Sequence, residues 1–248
     1  MNRFFVSRTA FQADRVVLGR EQARQIRSVL RMEPNDRIVV LDNRGYEYEV
    51  ALEDVRRDHI SGRVMDKRPA CGEPAVRITL YQSLLTREKF EWVLQKCTEV
   101  GVGRFVPVVT RRSLVRNSNS INPNRLERWR RILTEAAEQS CRGRIPELAP
   151  VVTFEQVLPD FDAYDRCLIG HAPEKGAELR CALRHENNCP VTVALCVGPE
   201  GGFAEEEVQL AQAAGAVAVS LGRRIMRTET AAVVAAALIL YELGQMEP

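Results

Sequence analysis

The sequence predicts a small β-barrel followed by an α/β domain built on a parallel sheet. Three observations carry this. Residues 1 to about 70 read as short strands with one helix. From residue 76 onward, strand-length apolar runs alternate with amphipathic helices, the pattern of a parallel sheet covered on both faces. Between them, residues 66–74 carry two prolines, one glycine and charge without periodicity, which marks a linker. The expected domains are therefore 1–72 and 73–248.

In the first part, Ile26, Val29 and Leu30 fall at helical spacing over 22–31, and Pro34 follows. Residues 37–42 predict a strand. Asn43-Arg44-Gly45 predicts a turn in which glycine takes positive φ. Over 46–52, Tyr46, Tyr48, Val50 and Leu52 alternate with polar residues, as in a half-buried strand, and 59–65 is another strand. The expected set is a small antiparallel barrel.

In the second part, strands are expected at 76–81, 105–109, 166–169, 191–197 and 217–221. Helices are expected at 87–100, with Phe90, Val93, Leu94 and Cys97 inward, and at 124–140, with Leu126, Trp129, Ile132, Leu133 and Ala136 inward. Further helices are expected at 174–185, 205–214 and 230–243, the last capped by Gly244.

Composition narrows the class. A 45% hydrophobic content is ordinary for a soluble globular protein. No apolar run reaches the length of a membrane span, and the N-terminus lacks the apolar core of a signal peptide, so a cytoplasmic protein is expected. The seven cysteines include no C-x-x-C pair and the three histidines no H-E-x-x-H, so no metal site is expected and the cysteines read as reduced and mostly buried. Charge is uneven. Residues 101–144 hold ten arginines, no lysine and only Glu127, Glu135 and Glu138 against them, a local +7 on a chain of net +2. Residues 1–37 add eight arginines against four acids. Three acids cannot pair ten arginines, so the excess points to a polyanion rather than to a solvated helix face, and arginine favours phosphate contact.

Two segments carry the chemistry. Gly198-Pro199-Glu200-Gly201-Gly202 follows an apolar strand, and Leu221 to Ala231 follows another. Glycine turns at the carboxyl ends of parallel strands expose backbone N–H and C=O groups where ligands bind in α/β proteins. A pocket made mostly of main chain suits a flat polar ligand such as a nucleoside, and a side chain at Gly201 is expected to block it. No P-loop and no complete G-x-G-x-x-G is present.

These motifs, with Glu91-Trp92-Val93-Leu94-Gln95-Lys96-Cys97-Thr98-Glu99-Val100-Gly101-Val102, Glu135-Ala136-Ala137-Glu138-Gln139-Ser140 and the opening Arg3-Phe4-Phe5-Val6 with Val29-Leu30-Arg31-Met32, occur in order. In this the chain resembles the RsmE-type methyltransferases of the SPOUT superfamily. The resemblance implies an N-terminal PUA-like β-barrel and a C-terminal SPOUT α/β domain with a parallel sheet and a deep trefoil knot. It also implies a homodimer that uses S-adenosylmethionine to methylate N3 of a uridine in 16S ribosomal RNA, with the cofactor bent inside the knot. Carried over by position, the cofactor loops are Leu168, Ile169, Gly170 and His171; Val197, Gly198, Pro199, Glu200, Gly201 and Gly202; and Ser220, Leu221, Gly222, Ile225, Met226, Arg227, Thr228 and Ala231. Two departures stand out: Ala204 where members usually have a capping Ser or Thr, with Glu207 keeping the other half of the capping box, and Met226 for leucine.

Under that resemblance, Ile225 and Met226 are expected to cover the adenine faces. Arg227 is a catalytic candidate as an anion stabiliser, with an ion pair to Glu229 as its structural alternative. Glu200 is a catalytic candidate that holds the ribose or target base, with capping of its own turn as the alternative. Uracil N3–H is a weak acid, so transfer needs a base or a stabilised anion. Arg8, Arg31, Arg111, Arg112, Arg116, Arg128 and Arg131 are the expected RNA contacts. The apolar closing helix, with Ala235, Ala236 and Ala237, is the expected dimer contact. A non-catalytic RNA-binding protein and an RNA-independent nucleotide enzyme are the other readings; the intact glycine turns argue against the first and the arginine window against the second.

Overall fold

The structure, a computed structural model, describes residues 1–115, 121–171, 177–183 and 191–247. The chain forms two compact units, one of Met1–Glu73 with Ala137–Ile145 and one of Pro74–Ala136 with residues 146–248. The first unit is thus discontinuous: a return segment far along the sequence completes it.

The first unit is a six-stranded sheet in the order β1-β4-β5-β6-β3-β2, formed by β1 (Arg3–Phe5), β2 (Phe11–Gln12), β3 (Arg15–Leu18), β4 (Arg37–Leu41), β5 (Tyr46–Val55) and β6 (Ile60–Pro69). Its core is Phe4, Val16, Leu18, Ile26, Ile38, Val40, Val50, Leu52 and Ile60. The sheet is not wholly antiparallel, because β1 runs parallel to β4 with Phe4 opposite Val40. Asn43 and Gly45 take φ of 58° and 97° in the predicted turn, and Asp42 accepts from the Arg44 and Tyr46 amides.

Four expectations change here. Residues 66–69 are strand, not linker, since Tyr46 pairs with Pro69 and Glu47 with Arg68. Tyr46 is exposed while Glu47 is buried, because Arg3 and Arg68 both bind its carboxylate at 2.6 Å. Burial pushes the Glu47 carboxyl up, but the two guanidiniums outweigh it and hold the group below its usual range. The helix over 22–31 is α1 (Arg20–Arg24) continued by a wider turn in which Leu30 N–H reaches the Gln25 carbonyl, so Ala23 and Ile26 are buried and Val29 is exposed. Finally, Cys71, Cys141 and Cys181 are exposed, and only Cys97, Cys167 and Cys196 of the described cysteines are buried.

The second unit is built on an eight-stranded sheet in which the strand pairings among the described residues are all parallel. Its strands are β7 (Arg77–Ser83), β8 (Arg104–Val109), β9 (Glu147–Leu148), β10 (Val152–Thr153), β11 (Arg166–Gly170), β12 (Ala177–Glu178), β13 (Thr192–Val197) and β14 (Val217–Ser220), in the order β10-β8-β7-β13-β11-β14-β12 with β9 beside β8. The helices are α2 (Arg87–Val100), α3 (Pro123–Gln139), α4 (Phe154–Val157), α5 (Leu179–Leu183), α6 (Glu205–Ala213) and α7 (Thr228–Glu242). Phe90, Val93, Leu94 and Cys97 of α2 are buried as their spacing predicts, and Phe90 packs on Trp129 of α3 with ring centroids 4.4 Å apart. The helix expected at 174–185 is corrected within its described part: 177–178 pair with β14 as a strand, and only 179–183 are helical. The closing helix starts two residues earlier than predicted and ends at Glu242, and beyond it Gly244, φ 68°, lets Gln245 N–H cap the Leu240 carbonyl. Ala204 caps nothing with its side chain; Glu207, wholly buried, accepts from the Ala204 and Arg111 amides.

Candidate active site

Sheet order decides the site. β13, β11 and β14 are neighbours, so their carboxyl ends bring together three segments far apart in sequence. They open into a cavity of about 620 Å³, within the range that encloses a nucleoside-sized ligand. Its floor is apolar, from Leu195, Val197, Val219, Ala231 and Ala235, and its rim carries Lys89, Arg112, Arg224, Arg227, Glu200 and Glu229.

The turn after β13 is closed by Gly202 N–H on the Pro199 carbonyl at 2.9 Å. Three side chains grip it. Thr228 Oγ1, buried at the start of α7, donates to the Gly198 carbonyl and itself accepts from Gln82 Nε2 at 3.3 Å. Arg112 Nη1 donates to the Gly201 carbonyl at 2.9 Å. Lys89 Nζ pairs with Glu200 Oε1 at 2.9 Å. The turn after β14 uses Gly222 at φ 105°, a conformation that favours glycine, with its N–H on Ser220 Oγ at 3.3 Å. At the end of β11, His171 N–H donates to the Val219 carbonyl.

The structure therefore gathers most of the predicted site. Gly170, His171, Val197, Gly198, Pro199, Glu200, Gly201, Gly202, Ser220, Leu221, Gly222, Ile225, Met226, Arg227, Thr228 and Ala231 all line the cavity. Leu168 and Ile169 do not; they are wholly buried inside β11. Ile225 is 92% exposed at the rim, while Met226 is half-buried. Arg227 is exposed and makes no ion pair with Glu229 among the described residues.

The arginine window needs correction. Its acids were counted only within 101–144, but partners arrive from elsewhere: Glu91 binds Arg128 through two bonds, Glu206 binds Arg111, Glu147 binds Arg104 and Glu73 binds Arg142. Arg131 faces Glu135 at 3.8 Å, and Arg125 stacks on Trp129 at 4.9 Å. Arg116 lies outside the described residues. Arg8 and Arg31 are exposed and pair with no carboxylate among the described residues. Among the described residues no group of three or more His, Cys, Asp or Glu is placed to hold a metal, and no helix is long and apolar enough to cross a membrane.

Lys89, Gln82 and the cavity role of Arg112 were missed in the sequence. Lys89 follows the carboxyl end of β7, and Arg112 that of β8. The rule that located the glycine turns applies to those strand ends too, but which strands adjoin is a tertiary fact.

Fold and site define an α/β protein with a largely main-chain cavity at the carboxyl ends of its parallel strands. The pattern of an RNA methyltransferase domain matches residues 72–240, and that of an RNA methyltransferase PUA domain matches 18–65. The chain is 31% identical to ribosomal RNA small subunit methyltransferase E of Bacillus subtilis, over 98% of this chain and 97% of the relative. It is 34% identical to that of Synechocystis, over 90% of this chain and 72% of the relative. The crystal structure of ribosomal RNA small subunit methyltransferase E from Neisseria gonorrhoeae, bound to S-adenosyl methionine, superposes with a TM-score of 0.84 at 30% identity, covering 97% of each chain. The chain belongs to the ribosomal RNA small subunit methyltransferase E family.

Proposed function

We propose that this protein is an S-adenosylmethionine-dependent methyltransferase acting on N3 of a uridine in small-subunit ribosomal RNA in the cytoplasm. The observation that carries this is the cavity, made of two glycine turns of main chain, apolar beneath and charged at the rim. Its residues fit the cofactor. The backbone of 198–202 and 219–222 offers donors and acceptors to the edges of a flat base, and Leu195, Val197 and Met226 offer apolar surface. The charged rim suits an amino-acid moiety. When bound, the cofactor supplies an activated methyl group. The chain's own part is to hold the uracil, stabilise charge as N3 ionises through Arg227, and engage the base through Glu200. The second unit is further read as knotted, and the first as a PUA-like barrel, the latter supported by its six-stranded sheet and the match to a PUA domain.

Cofactor and substrate are tested together. Calorimetry should show S-adenosylhomocysteine binding without added metal, and mass spectrometry should find N3-methyluridine in small-subunit RNA treated with the protein. Absence of either rejects this reading. Arg8 and Arg31 on the first unit, with Arg112 on the second, are the RNA contacts we favour; Arg111, Arg128 and Arg131 already face carboxylates. Each phosphate contact removed should lower the salt slope of RNA binding by about one. Arg8→Glu with Arg31→Glu is the clean test, since Arg112 also holds the cofactor turn. RNA binding and salt slope equal to wild type would remove these two from the path.

The protein is further read as a homodimer through α7. Leu238 and Tyr241 remain exposed on this apolar helix while Ala232, Ala235, Ala236 and Ile239 are buried within the unit. Light scattering at micromolar concentration should give twice the chain mass, and Tyr241→Glu should shift it toward monomer. A monomeric wild type rejects the dimer.

A further inference from the structure

Lys89 comes from the first turn of α2, yet its ammonium lies in the cavity at 2.9 Å from Glu200. Stability does not explain the pair. Lys89 and Glu200 remain 33% and 29% exposed, and exposed ion pairs contribute little to folding. What the pair does is geometric. Glu200 sits in a turn whose Gly198, Pro199 and Gly201 carbonyls are held by Thr228, the Gly202 amide and Arg112, and of the three side chains that grip the turn Lys89 is the one that acts on the Glu200 carboxylate itself.

We propose that Lys89 is a positioning residue: it holds Glu200 facing the cavity as the carboxylate that accepts the N3 proton of the target uracil. This rests on the reading of the chain as a uridine-N3 methyltransferase. In the step, the N3–H bond breaks and its electron pair stays on the ring. The proton forms an O–H bond on Glu200. The ring pair would then form the N3–methyl bond as the donor's sulfur–methyl bond breaks with its pair left on sulfur, and Glu200 returns its proton to solvent. Lys89 uses one of its three N–H donors on Glu200, leaving two for the uracil carbonyls as charge grows there.

The electrostatics agree with the geometry. Burial pushes the Glu200 carboxyl up, but the Lys89 bond, a backbone bond and the Lys89 charge outweigh it and hold the group below its usual range. The other charged or titratable groups lining the same cavity are Arg112, His171, Arg224, Arg227 and Glu229. Removing Lys89 should therefore raise the pH at which Glu200 ionises. The base would then be lost at acid pH first.

The experiment compares the full chain with Lys89→Ala and Lys89→Arg. Glu200 is titrated directly by carbon-13 NMR of glutamate-labelled protein, assigned with Glu200→Gln. kcat/KM for small-subunit RNA is measured against pH, and S-adenosylhomocysteine binding by calorimetry. Lys89→Ala should titrate Glu200 at higher pH and move the acid limb of kcat/KM the same way. The loss of activity should be greatest on the acid limb and smallest at alkaline pH. Lys89→Arg should restore the limb, and calorimetry separates any change in cofactor affinity from the pH effect, since Lys89 lines the same cavity. Lys89→Met, which keeps the stem, serves if alanine disturbs α2. An unmoved titration and acid limb overturns the inference, and so does a loss that is equal at every pH. A wild type that neither binds S-adenosylhomocysteine nor methylates RNA overturns the functional reading instead.

Discussion

Gly198→Val is expected to abolish cofactor binding and destabilise the second unit. A Cβ at 198 would lie 3.0 Å from the Phe203 amide nitrogen, 3.1 Å from its ring and 3.2 Å from the Gly202 carbonyl carbon. Two of these are main chain of the turn itself, and Phe203 is buried in the core against Phe154. Neither can retreat without opening the turn. Overpacking of this kind costs about 1–3 kcal/mol. The displaced turn would also lose the Thr228 grip on the Gly198 carbonyl, so affinity for S-adenosylhomocysteine should fall by at least about tenfold. Urea unfolding and calorimetry measure the two effects. Affinity equal to wild type would exclude the turn from the site. At Gly201 a Cβ meets only the flexible Arg112 side chain, at 3.5 Å, so Gly201→Val should leave the fold intact while it fills the pocket.

Glu73→Ala should cost about 1–3 kcal/mol of stability, the range for leaving buried hydrogen-bonding groups without their acceptor. The Arg142 side chain is 3% exposed, and its guanidinium binds Glu73 through Nε at 3.1 Å and Nη2 at 2.9 Å. The same carboxylate accepts the Gly143 and Arg144 amides at 3.1 Å. Deleting it removes both guanidinium bonds and the acceptor of two amides. This contact ties the returning segment 137–145 into the first unit, so the loss should unfold that unit first. Denaturant melts with hydrogen exchange over 1–73 would show it. A change within 1 kcal/mol would mean that water replaces the carboxylate freely.

These two predictions lie at opposite ends of what the chain reveals before it folds. Glycine turns after apolar strands are local signals, since a strand end and a tight turn depend on a few adjacent residues. The site at 198–202 and 220–231 was legible for that reason. The role of Arg142 was not, because its partner lies 69 positions away. Counting charge along a window treats neighbours in sequence as neighbours in space. Arg128 with Glu91 and Arg111 with Glu206 show the error. Periodicity likewise placed α2 well, but it could not foresee the wider turn that exposes Val29, nor the parallel pairing of β1.

By itself, then, the sequence determined the alternation of strands and helices, the parallel class of the second sheet and the two glycine turns that make its pocket. Each follows from backbone propensity and periodic burial within a short stretch. Tertiary structure alone decided which strand ends adjoin, which carboxylate takes each arginine, and that Lys89 faces Glu200 across 111 residues. Strand order and ion pairing are settled by packing of the whole domain, and local pattern carries no record of it.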